Sequence, residues 1–76
     1  MSMEQFEQKK AFVTRELSRC VTAVDGNVSK LEYQFTDDGQ ESVIIRFSNG
    51  YIKTVDVTGD SLYSVMFNVV EALAEV

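Results

Sequence analysis

The sequence predicts an α+β fold in the order helix, strand, strand, strand, helix: a three-stranded antiparallel meander with both helices packed on one face. Three observations carry this. Residues 3–24 and 58–76 place apolar side chains at the 3.6-residue period of an amphipathic helix, and residues 28–36 alternate with a period of two. Between them, ESVIIRFSNGYIKTVDV over 41–57 reads as two strands joined through Ser48-Asn49-Gly50-Tyr51, Asn-Gly being the strongest short-range hairpin signal. A lone hairpin is marginal in water. The flanking segments therefore read as its cover.

Seventy-six residues make one small domain, 1–76, with no internal repeat, linker or low-complexity tract. At this length only about 60% of the unfolded chain's surface is buried. The core is thin, and an oligomer or a partner is the natural expectation. Histidine is absent, which removes the commonest metal ligand and the commonest general base at neutral pH. The net charge is −5 and uneven. Residues 1–20 hold Lys9, Lys10, Arg15 and Arg19 against three acids, whereas 21–76 hold three bases against nine acids, with none beyond Lys53. Such a surface repels phosphate and anionic lipid headgroups. The lone cysteine forms no internal disulfide, and no leader or membrane-length apolar run is evident, so a cytoplasmic location is expected.

On the first helix Phe6, Val13, Leu17, Cys20 and Val24 fall in one arc, with Met3 and Val21 on its rim, so Cys20 is expected to pack as a small hydrophobe. Lys10 shares that arc, and Phe12 sits about 120° from its centre. Gly26 is placed to stop the helix, the alternative being an end as early as Cys20, because the cluster Val21-Thr22-Ala23-Val24 weakens the last turn. In the first strand Leu31, Tyr33 and Phe35 face one way and Lys30, Glu32, Gln34 and Thr36 the other; Asp37-Asp38-Gly39-Gln40 follows as a turn.

The hairpin has two possible registers. A two-residue Asn49-Gly50 turn sets Phe47 opposite Ile52 and leaves both faces mixed, whereas a bulge at Gly50 groups Val43, Ile45 and Phe47 with Tyr51, Val55 and Val57. In the second helix Thr58 or Asp60 is expected to cap. Leu62, Val65, Met66, Val69, Leu73 and Val76 form one stripe, and Tyr63, Phe67, Val70 and Ala74 form a second beside it. Together they span roughly 220° of the helix. One thin sheet does not cover so much, so either the first helix or a second copy of the protein does.

No residue set predicts catalysis, a metal or a cofactor. Cys20 has no histidine to activate it, and Asp37, Asp38 and Glu41 lack the ligand spacing of a calcium loop. Two surfaces are candidates for recognition. Phe12, Tyr63, Phe67, Val70 and Ala74 form a candidate interface, and Arg46, Tyr51 and Lys53 a candidate ligand site on the sheet's outer face.

The order of elements and the length resemble a double-stranded RNA-binding domain, a family whose second helix meets RNA with N-terminal lysines. Here that position reads Gly59-Asp60-Ser61-Leu62-Tyr63-Ser64, with no lysine, and the acidic Asp37-Asp38-Gly39-Gln40 stands where that family places a groove-reading loop. Over the whole chain, Phe47-Ser48-Asn49-Gly50-Tyr51 followed by Val57-Thr58-Gly59-Asp60-Ser61-Leu62 is similar to small uncharacterised proteins of conjugative transposons and related mobile elements in Gram-positive bacteria. That resemblance implies a cytoplasmic accessory protein and brings no functional residues. The sequence thus predicts a non-enzymatic, self-associating interaction or assembly module, a homodimer in its simplest form. The alternative is a nucleic-acid-binding accessory protein using Lys9, Lys10, Arg15 and Arg19.

Overall fold

A computed structural model describes residues 3–75. Val76 and the side chain of Met3, expected at the ends of the two apolar stripes, lie outside that description. The chain is α+β, as the periodicities require. A first helix is built of α1 (Met3–Ala11), a π-helical segment (Phe12–Leu17) and α2 (Ser18–Val24). There follow β1 (Val28–Phe35), β2 (Glu41–Phe47), β3 (Ile52–Asp56) and the second helix α3 (Leu62–Ala74). The strands form an antiparallel meander in the order β1-β2-β3.

The π-helical segment explains why the first helix buries a different set of residues from the one predicted. Ala11, Leu17 and Ser18 keep right-handed helical dihedrals, so the helix runs on without a break, while the Ser18 N–H donates to the Val13 carbonyl five residues back. A π turn takes in one residue more than an α turn, which sets everything beyond it back by one position, about 100° around the axis. Phe6, Val13 and Leu17 stay buried, and Val21 takes the inward direction expected of Cys20. Cys20 and Val24 turn out to solvent instead, Val24 with 86% of its surface exposed. The helix ends at Asp25, which turns extended, and its carboxylate accepts from the Asn27 N–H at 3.0 Å. Gly26 does not take a positive φ, so it is not the stop that the sequence suggested.

Both hairpins use the same device. Gly50, at φ 93°, donates to the Phe47 carbonyl at 3.0 Å while the Phe47 N–H donates to the Tyr51 carbonyl at 2.9 Å. Gly39, at φ 91°, closes the β1–β2 turn in the same way, donating to the Thr36 carbonyl at 3.0 Å. The extra residue selects the bulged register: Val43 faces Val55, Ile45 faces Lys53 and Arg46 faces Ile52. A second irregularity, between Val28 and Lys30, breaks the alternation of β1 and turns Val28 into the core beside Leu31 and Tyr33. On β2 Glu41, Val43, Ile45 and Phe47 are all buried. The core lies between this sheet face and the helices, with Val13, Val43, Ile45, Val57, Val65 and Val69 wholly enclosed. The first helix also guards the edge of β1, where the Leu31 N–H donates to Ser18 Oγ at 3.2 Å.

The second helix starts later than predicted, three residues after Thr58 and one after Asp60. Ser61, not Thr58 or Asp60, is its N-cap, accepting from the Ser64 N–H at 3.2 Å. Asp60 instead accepts from the Asn68 amide at 2.7 Å, and Thr58 bonds to Asp56 at 2.7 Å.

Candidate protein-interaction face

On α3 the sequence gives apolar residues to both sides of the helix, and the sheet covers one of them. Val65, Val69 and Ala72 are buried, and Leu73 packs partly against the core. Leu62 and Met66 lie at the rim, just exposed. The stripe Tyr63, Phe67, Val70 and Ala74 points away from the core: Tyr63 is 76%, Phe67 59% and Val70 53% exposed, and Ala74 is also exposed. The first helix therefore does not cover it. On a helical wheel these four residues lie within about 60° of one another and roughly 160° from the buried face.

This open stripe continues beyond α3. At its C-terminal end a shallow groove is lined by Val21, Val24, Asp25, Val70, Leu73 and Ala74, so the rotated-out Val24 extends the same apolar surface. Sequence reasoning missed Val24 because only the π-helical segment moves it outward. Phe12, the fifth residue of the predicted interface, is half-buried and packs against the margin of the core, so it is not part of the open stripe.

The predicted site on the outer sheet face does not assemble. Only Arg46 is there, ion-paired to Glu32 of the neighbouring strand. Lys53 stands opposite Ile45 and so lies on the helix-covered face, where its ammonium donates to the Ala72 carbonyl at 3.2 Å near the C-terminus of α3. Tyr51 sits at the hairpin end with its ring 5.5 Å from that of Phe47. The bulged register causes this separation, since it shifts every side chain of β3 by one position. A charge turned inward on an edge strand is also a device that discourages edge-to-edge pairing.

Among the described residues, a buried ionic cluster forms that was not predicted from the sequence. Glu41, 2% exposed, accepts from Lys9 Nζ at 2.6 Å, from the Tyr33 hydroxyl at 2.6 Å and, through its second oxygen, from the Gly59 N–H at 2.9 Å. Burial by itself pushes this carboxyl up, but the hydrogen bonds from Lys9, Tyr33 and Gly59 outweigh it and hold it below the ordinary value of 4.5. Burial, reinforced by the Glu41 carboxylate, pushes the Tyr33 hydroxyl well above its usual value of 10.0. The cluster ties α1, β1, β2 and the turn before α3 together. A signal for it was present: Glu41 shares the parity of Val43, Ile45 and Phe47 and therefore had to point inward. Its carboxylate accepts three internal hydrogen bonds, and through Gly59 it anchors the turn that leads into α3.

The same contact takes Lys9 out of the predicted basic surface, leaving Lys10, Arg15 and Arg19 exposed on the first helix. No group of three or more metal-ligating side chains occurs among the described residues. No described helix is long and apolar enough to cross a membrane. No protein family, curated protein or solved structure matches this chain.

Proposed function

We propose that this chain is a non-enzymatic, self-associating assembly module that docks through the outward face of α3. The observation that carries the reading is the Tyr63, Phe67, Val70 and Ala74 stripe, a continuous apolar surface on the side of the helix opposite the core. Fully burying an aromatic or aliphatic side chain of this kind is worth about 1.5–3 kcal/mol. Leaving two aromatics and a valine in water on one helix forgoes that gain and is characteristic of recognition surfaces. The rigid support under α3 fits the same reading, because Ser61 caps the helix while the Glu41 cluster and the Lys53 contact hold it at both ends.

Light scattering coupled to size-exclusion chromatography tests the proposal on the unmodified chain and on Phe67→Ser. The native chain is expected to elute with a mass above that of one 8.6 kDa chain, and Phe67→Ser to elute as a folded monomer. A native monomer at all concentrations up to hundreds of micromolar, with Phe67→Ser indistinguishable from it, would overturn the reading.

A further inference from the structure

The proposed assembly face leaves open how two copies would meet, and the order of residues along the stripe bears on that question. Tyr63, Phe67, Val70 and Ala74 are spaced by four, three and four residues, the spacing of the d and a positions of a coiled-coil seam. The bulk along that seam is graded, with the two aromatics in the N-terminal half of α3 and the valine and alanine in the C-terminal half.

Resting on the assembly reading above, we infer that α3 pairs with α3 of a second copy of this chain in antiparallel orientation, about a two-fold axis between Asn68 and Val69. That axis sets Tyr63 against Ala74 of the second copy and Phe67 against Val70 of the second copy. Each of the four layers then joins one large and one small residue, so the helices keep an even spacing and the seam fills without voids. A parallel pair would stack Tyr63 on Tyr63 and Ala74 on Ala74, splaying one end and leaving a gap at the other. A two-fold contact also has to be self-complementary, with each half offering what the other lacks.

The surroundings of the stripe meet that condition. The ring of Tyr63 projects from one end, and the groove lined by Val21, Val24, Val70, Leu73 and Ala74 lies at the other. Antiparallel pairing brings the ring of each copy over the groove of the other, which covers the exposed Val24, and Asp25 on the groove wall supplies a carboxylate acceptor for the tyrosine hydroxyl. The flanks agree. Met66 falls beside Leu73 of the second copy and Ser64 beside its Glu71, so no two acids are apposed, and the two helix dipoles run in opposite directions.

Disulfide trapping in a Cys20→Ser background tests the orientation without altering the aromatic residues. Chains carrying Ser64→Cys are mixed with chains carrying Glu71→Cys and oxidised, and Ala74→Cys is oxidised alone, with the mass before oxidation measured by sedimentation. The expected result is a disulfide-linked mixed dimer from the first pair and at least tenfold less linkage from Ala74→Cys alone. Linkage of Ala74→Cys to itself, or a dimer in which the Ser64→Cys and Glu71→Cys pair fails to link, would overturn the antiparallel arrangement while leaving the assembly reading in place. A monomer before oxidation would overturn both.

Discussion

Replacing Glu41 by Gln preserves the shape of the side chain and removes the charge that organises four segments of the fold. The Lys9 ammonium, whose side chain is only 15% exposed, then loses its counter-ion at 2.6 Å, and the Tyr33 hydroxyl and Gly59 N–H keep only a neutral acceptor. Breaking a buried pair by removing one partner costs about 3–5 kcal/mol, and Lys9 is close enough to the surface to re-aim part of its charge toward water, so a smaller cost, about 2–3 kcal/mol, applies. For a domain of this length that is a large share of a total of roughly 4–11 kcal/mol and corresponds to a fall in Tm of about 10–20 °C.

The pH dependence has a definite sign. Because the folded carboxyl sits below its ordinary value, its contribution is fully present above the pKa of the unfolded chain, near 4.5, and is lost as pH falls through the lower folded value. Urea denaturation of both proteins between pH 3 and 7 checks this. The two curves are expected to be well separated at pH 7 and to draw together as the pH falls below 4.5. A difference under about 0.5 kcal/mol at pH 7, or one that grows in acid, would refute the account of the cluster.

Three further outcomes follow from particular residues. Gly50→Ala places a Cβ at φ 93° in the hairpin bulge and is expected to lower stability by about 1–2 kcal/mol, read by thermal denaturation, although no atom lies within 4 Å to clash with it. Cys20 in the folded protein is expected to react with a thiol reagent nearly as fast as in the denatured chain, since the π-helical segment turns it outward; strong protection would mean that the segment is absent. In an alkaline absorbance titration Tyr33 is expected to ionise well above the usual tyrosine range and to ionise at lower pH, though still above that range, in Glu41→Gln, because burial is the larger cause and the substitution removes only the carboxylate's share.

The parts of this fold that were legible in the sequence are those set by period and turn chemistry. Alternation over residues 30–35 and the heptad-like stripes of α3 follow from residue spacing alone, and they place the elements in the order observed. What the spacing left out, or in the case of Gly50 left open, was each point where the chain takes in one extra residue. The π-helical segment, the break between Val28 and Lys30 and the bulge at Gly50 each shift the facing of their neighbours by one position. Those shifts put Cys20 and Val24 outside, Val28 inside and Lys53 on the covered side of the sheet. For the hairpin, both registers are compatible with the residues; the bulged one pairs Val43 with Val55 and packs both toward the core, a tertiary gain that residue spacing does not display. In the candidate site, Tyr63, Phe67, Val70 and Ala74 were readable because α3 is apolar on two sides; Phe12 was not, since its surroundings belong to the margin of the core.

Sedimentation equilibrium of the unmodified chain from one to several hundred micromolar tests the central claim most directly, because the whole account of α3 turns on whether its outward stripe is covered in solution. The account predicts a mass that rises with concentration from that of one 8.6 kDa chain toward twice it. A mass fixed at that of one chain across the entire range would contradict it.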